Sequence, residues 1–256
     1  MTSGKIFMPQ TKFFAASRSW TLPDKEAYLN NINYNDTLTR AMAEFSYDRM
    51  EKHRRLVSNN IEKLLEHKED LMKTLGLSDD QFNDLKKELK KRAEQHDLSK
   101  YSESEKIAYI YLNWKFHIIK TEKREYHYPD GIEGMVDQAI QHHYQNNSHH
   151  SEFYCFRQDG TQENKEDKVK IKELLKNMSD LDLLEMVADW MAVSQEYGTK
   201  CEDFAKATIG NDKPKPFSKE QKTKIFTLIS LFEPKCQVKL NNPLADENKT
   251  VRFRIN

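Results

Sequence analysis

Apolar residues recur at helical steps along most of this chain, with polar positions filling the opposite faces. From Asp36-Thr37 onward, Leu38, Met42, Phe45, Met50, His53, Val57, Ile61, Leu64 and Leu65 follow at three- and four-residue steps. That spacing predicts a long amphipathic helix. Ser78 to about Glu94 predicts a second, with Ser78 as N-cap, Gln81 at the capping-box position and a face of Phe82, Leu85, Leu89 and Ala93 leading into His96-Asp97. Ser102 to Lys120 predicts a third, with an aromatic-rich face of Tyr109, Leu112, Trp114 and Phe116. After the turn signal Pro129-Asp130-Gly131, the run Met135, Val136, Ala139, Ile140, His143, Tyr144 predicts a helix to about Asn146-Asn147. The most apolar helix is expected over Asp180 to Tyr197, closed by Gly198.

The remaining segments lack that periodicity. Residues 1–36 carry scattered aromatics (Phe7, Phe13, Phe14, Trp20) and read as an arm that packs on the body or stays partly disordered. Residues 157–168 are polar and read as a surface loop. Lys213-Pro214-Lys215-Pro216 reads as a linker, followed by a short helix (Lys219 to Leu231) and a tail with strand-like alternation at 251–255. The expected organisation is an N-terminal extension (1–36), a helical domain (37–210), and a linker with C-terminal extension (211–256). The fold class is all-α.

Composition narrows this further. Charged residues make up 32% of the 256, with only 7 Gly and 7 Pro, which favours helices over a turn-rich β fold. Lys plus Arg and Asp plus Glu balance at 41 each, so no global field recruits nucleic acid or an anionic membrane. No stretch approaches the roughly 18–20 apolar residues of a membrane span, and no signal-peptide core opens the chain. Cys155, Cys201 and Cys236 form no CxxC pair and read as reduced thiols. A cytoplasmic location is expected. Oligomeric state stays open.

The chemistry centres on adjacent His96-Asp97, which offer a transition metal one nitrogen and one or two oxygens. His53 lies upstream, His143, His149 and His150 lie downstream, and Asp189 sits inside the apolar helix. A carboxylate among Leu183, Leu184, Met186, Val187, Ala188 and Trp190 needs a cation or donors to offset desolvation. An Arg partner or a capping role would also serve Asp189. Glu185, one turn earlier, is placed to orient a ligand or a histidine. His53 can equally be an ordinary half-buried histidine, and His149-His150 a solvated loop. Lys100, three residues after Asp97, is either a solvated lysine or a cation beside the metals. Several imidazoles with two carboxylates suit manganese, iron, cobalt or zinc better than magnesium or calcium. The site is expected to hold one or two ions; with Asp97 bridging, two could sit about 3.5–4 Å apart. Such ligands require Asp189 within about 10 Å of His96.

These residues resemble the HD-domain metal-dependent phosphohydrolase superfamily. His96-Asp97-Leu98-Ser99-Lys100 is similar to the HDxxK motif of its cyclic-dinucleotide phosphodiesterase branch, and His149-His150-Ser151-Glu152 to that branch's HHE. No Asp-Gly-x-Gly-Tyr-Pro follows the His-His pair. The resemblance implies an HD-domain-like helical bundle, metal ligation by His53, His96, Asp97, His143, His149, His150 and Asp189, and Lys100 near the scissile phosphate. Over roughly residues 40–205 the chain also resembles an uncharacterised bacterial and phage domain family with the pattern HDLSK…HxxxNxHHxE…EMxxDWxAMS.

The resulting expectation is a metal-dependent phosphohydrolase acting on a nucleotide or related small anionic phosphoester. In it Lys100 neutralises phosphate charge and Glu152 or Glu185 relays protons. Two alternatives stay in view: a di-iron oxygenase of the same architecture, and a non-enzymatic helical interaction protein that retains a structural metal.

Overall fold

The structure is a computed structural model and describes residues 20–157 and 159–232. In chain order it contains α1 (Lys25–Asn30), α2 (Arg40–Glu66), α3 (Lys68–Leu75), α4 (Asp79–Gln95), a 3-10 turn (Leu98–Tyr101), α5 (Lys106–Thr121), α6 (Ile132–Asn146), a second 3-10 turn (Ser151–Cys155), α7 (Lys168–Leu175), α8 (Asp180–Tyr197), α9 (Cys201–Thr208) and α10 (Lys219–Phe232). Among the described residues there is no strand, only the isolated bridges Phe156–Gln162 and Ile209–Lys215. The protein is all-α. Local chemistry sets several boundaries. Ser78 and Gln81 close a reciprocal capping box on α4, Ser179 and Asp182 do the same on α8, and Gly198 ends α8 in the left-handed conformation that a side chain resists. Helix α5 begins four residues later than the periodicity predicts, because Ser102–Glu105 form a turn whose amides bond back to Ser99 and Ser102.

Two apolar cores share the long helix α2. Its C-terminal half (Val57, Ile61, Leu64) packs with Leu85 and Leu89 of α4, Leu184 and Val187 of α8, and Ile225 and Leu228 of α10. Its N-terminal half (Met42, Ala43, Met50) packs with Tyr28 and Leu29 of α1, Ile110 and Tyr111 of α5, and Val136 and Ala139 of α6. His53 falls on the same stripe of α2, between Met50 of one core and Val57 of the other. It therefore lies buried at the seam where the two apolar clusters meet.

Packing crosses the boundaries expected at 36 and 210. Helix α1 buries Tyr28 and Leu29 against α2, and Phe217, Ile225, Leu228 and Ile229 belong to the first core. The Pro-flanked run that reads as a linker carries Lys215 back into pairing with Ile209. A proline pair signals extended backbone, but extended backbone can also cross a packed surface. Leu228→Ala is accordingly expected to cost about 2–5 kcal/mol in urea unfolding, the range for a buried leucine. A cost near zero would mean that α10 is dispensable to the domain. The strand-like alternation at 251–255, Cys236, Phe7, Phe13 and Phe14 lie outside the described residues. No helix among the described residues is long and apolar enough to cross a membrane.

Candidate metal centre

Helices α2, α4, α6 and α8, with the loops after α4 and α6, deliver the polar side chains to the seam. His96 caps the C-terminus of α4, and Asp97 follows with φ 58°. A left-handed non-glycine residue costs of order 1–3 kcal/mol, and aspartate is among the side chains that bear it best. The reversal turns the chain at once into the 3-10 turn, so neighbouring His96 and Asp97 aim at one point. Helix α6 brings His143. At its end Asn147 donates to the His143 carbonyl (2.8 Å) and to Ser99 Oγ (2.9 Å), fixing the loop that carries His149 and His150. Helix α8 supplies Glu185 and Asp189, one turn apart.

Asp97 is the hub of this cluster. Its Oδ1 lies 3.2 Å from His143 Nε2 and 3.6 Å from His149 Nε2, while Oδ2 lies 3.5 Å from His96 Nε2 and 3.8 Å from His53 Nε2. His53 Nε2 is also 3.0 Å from Asp189 Oδ1, and His143 Nε2 is 2.9 Å from His150 Nε2. Three groups of possible donors result, each with its ligand atoms within 4.8 Å of one another: His53–His96–Asp189 and Asp97–His143–His149–His150, which include Asp97 and Asp189, and His96–His149–Glu185 on the outer side of two of the rings. Two nitrogens held about 2.1 Å from one ion at right angles stand about 3 Å apart, close to the His143–His150 separation. His96 Nε2, His149 Nε2 and Asp97 Oδ1 are buried and have no hydrogen-bond partner. Each such orphan costs about 1–3 kcal/mol unless something satisfies it. A cation at the shared point would satisfy all three. This buried His/Asp group could hold a metal ion.

The opposite ring nitrogens support the same reading. His53 Nδ1 is 3.2 Å from Glu196 Oε1, and His143 Nδ1 is 3.1 Å from Glu105 Oε2. His96 Nδ1 (2.9 Å) and His149 Nδ1 (3.2 Å) both meet Glu185 Oε1. An ionised carboxylate only accepts, so these Nδ1 atoms carry protons and the Nε2 atoms face inward. Metal-ligating histidines are generally oriented in this way.

The electrostatics agree with the geometry. Burial alone would push the Asp97 carboxyl up, yet His96, Lys100 and His143 hold it well below the usual carboxylate range. Asp189, likewise opposed by burial, is held down to about 2 by His53. Burial lowers His150 far below an ordinary imidazole, reinforced by His149 and His143, so its ring is neutral and free to ligate. Lys100 Nζ lies 2.5 Å from Asp97 Oδ2 and 5.0 Å from the Tyr109 ring centroid.

All seven ligands expected from the sequence meet here, and Lys100 stands beside them. The two carboxylates expected to relay protons are engaged elsewhere. Glu185 sits behind His96 and His149, a position that orients rings. Glu152 accepts from Lys215 Nζ (3.1 Å) and Ser151 Oγ (2.9 Å), so its proximity to His150 in sequence does not turn it toward the cluster. Sequence reasoning missed Glu105, Glu196, Asp182 and Arg92. Positions 182, 185, 189 and 196 share one face of α8, a spacing that was available as a signal; Glu105, in a polar Ser-Glu-Ser-Glu stretch, offered none.

Asp182 fastens the histidine loop to the core. It accepts from Arg92 Nη1 and Ser148 Oγ (each 2.5 Å) and from Tyr154 OH (2.6 Å). Asp182→Asn is expected to cost about 2–3 kcal/mol in urea denaturation of metal-free protein, since it strands a half-buried guanidinium. A loss below about 0.5 kcal/mol would remove this anchoring role.

Comparison with known proteins adds one finding. No curated protein and no solved structure matches the chain. A family model does match, over residues 42–231, from the first turn of α2 into the last turn of α10, and takes in every cluster residue described above. The chain therefore belongs to DUF5662, a family of unknown function.

Proposed function

We propose that this protein is a phosphohydrolase that depends on a divalent transition metal and acts on a small phosphoester such as a nucleotide. The observation that carries the reading is the convergence of unpartnered His96 Nε2, His149 Nε2 and Asp97 Oδ1 beside a lysine. The two donor groups that include Asp97 and Asp189, with one Asp97 oxygen toward each, favour two ions over one. Manganese, iron, cobalt and zinc fit the imidazole-rich set. The resemblance to the HD-domain superfamily supports the same chemistry. When bound, the ions would supply a water activated near neutral pH and a clamp on a phosphoryl oxygen.

The chain's own groups divide the remaining work. His96, Asp97, His143 and His149 side chains are 0–4% exposed, whereas Lys100, His53 and Asp189 are 18%, 11% and 12% exposed. In this reading substrate would approach the cluster from the Lys100–His53–Asp189 side. Lys100 would receive phosphate oxygens there, with its ammonium held 5.0 Å from the Tyr109 ring centroid.

The test is elemental analysis of protein purified without chelator, then a phosphoester screen with manganese, iron(II) and cobalt. Metal-dependent phosphate release is expected. Oxygen uptake without phosphate release would replace this reading with a di-iron oxygenase. Lys100→Met is expected to keep its metal while kcat/KM falls about 100-fold, the effect of removing one preorganised charge-stabilising donor. Unchanged kcat/KM in that variant would take Lys100 out of the reaction.

A further inference from the structure

We infer that Glu185 is a positioning residue shared by both donor groups, tying them into one metal-binding unit; the inference rests on the two-ion reading above. Its Oε1 alone receives Nδ1–H of His96 (2.9 Å) and of His149 (3.2 Å), whose rings lie 4.5 Å apart at 38°. On their inward side those two rings fall in different groups, His96 with His53 and Asp189, His149 with Asp97, His143 and His150, and on their outer side they share a third group with Glu185. They are also the two imidazoles whose Nε2 atoms are buried without a partner. One carboxylate oxygen thus sets the tautomer and tilt of one ligand in each group.

The other carboxylates on the ring backs are private. Glu196 reaches only His53 among the ligands, and Glu105 only His143. Glu185 is itself held from behind. Its Oε2 lies 3.5 Å from Arg92 Nη1, and that guanidinium is fixed by Asp182 at 2.5 Å. Replacing Glu185 by glutamine keeps the shape but changes the hydrogen bonding. If the amide oxygen faces the rings, the amide NH2 meets the Arg92 donors. If it flips, the NH2 meets two ring N–H groups, and at least one ring must shift its proton to Nε2, where it can no longer ligate.

Titration of metal-free protein with cobalt(II), followed by visible absorption and by bound-metal analysis, separates the alternatives. Wild type is expected to take up two equivalents. Glu185→Gln is expected to weaken both, by about 10–100-fold, the usual effect of losing a ligand-orienting partner. Glu196→Gln should weaken one equivalent and Glu105→Gln the other. If Glu185→Gln weakens only one equivalent, or neither, the shared role is overturned while the two-ion reading stands. If wild type takes up fewer than two equivalents, the two-ion reading falls and the inference with it. Circular dichroism checks folding. Should Glu185→Gln not fold, Glu185→Asp carries the same test, because it keeps the charge but withdraws the oxygen by one methylene.

Discussion

Asp97→Ala protein should emerge from chelator-free purification with less than about a hundredth of the wild-type affinity for transition metal, and with phosphoester hydrolysis at background. The size of the effect follows from position. Asp97 is the one side chain with an oxygen toward each donor group, 3.2 Å from His143 Nε2 on one side and 3.5 Å from His96 Nε2 on the other. Its removal takes an anionic ligand from both groups and leaves the Lys100 ammonium without its carboxylate. Alanine also pays for the left-handed backbone at φ 58°, so Asp97→Asn serves as the paired variant: asparagine bears that conformation and keeps the shape. Both variants should remain helical and both should lose metal. Full metal occupancy in Asp97→Ala would end the assignment of this cluster as the metal centre.

Stripping metal from the wild-type protein should lower its thermal stability, and by more at pH 9 than at pH 6. A ligand present at a thousand times its Kd contributes about 4 kcal/mol, which for a domain of this size is a fall of roughly 8–16 °C in Tm. The pH dependence has two parts of opposite sign. In metal-free protein, His53 is raised to about 9: burial opposes its charge, but hydrogen bonds to Asp189 and Glu196 outweigh it. A histidine raised in the folded state contributes stability fully present below its ordinary value near 6.5 and lost as pH rises through about 9. Metal binding has the reverse dependence, because it needs neutral imidazoles and protons compete with the ion at low pH. The gap between loaded and stripped protein should widen from pH 6 to pH 9. Differential scanning calorimetry over that range decides the matter, and a constant gap would place the metal away from His53.

The helices were the most legible part of the chain. Asp180–Tyr197 and Asp79–Gln95 begin at capping boxes written within four residues of sequence, and Gly198 marks the end of α8. The short helices were not legible. Helices α1, α3, α7 and α9 have six to eight residues each, too few for a 3.6-residue period to stand out. Helix α10 was legible, but that it packs into the first core was not, because the Pro-flanked run before it reads as a linker.

For the site, sequence alone supplied the candidate donors: two carboxylates and five imidazoles whose chemistry suits a transition metal, with Asp97 next to His96 and Asp189 embedded in an apolar helix. These are local facts, readable because an ionisable group among leucines, or a His-Asp pair at a helix end, is unusual on its own. Tertiary structure decided which partners stand behind the rings. Glu185 reads from the sequence as an orienting carboxylate one turn before Asp189, but which rings it backs, and the like role of Glu105 and Glu196, follow only from α5 and α8 packing against α6, α4 and α2 across 38, 89 and 143 residues. Packing also turned Glu152 toward Lys215 and set Lys100 against Asp97. Hydrogen bonds of this kind depend on ångström-scale registry between helices, which the apolar stripes permit but do not specify.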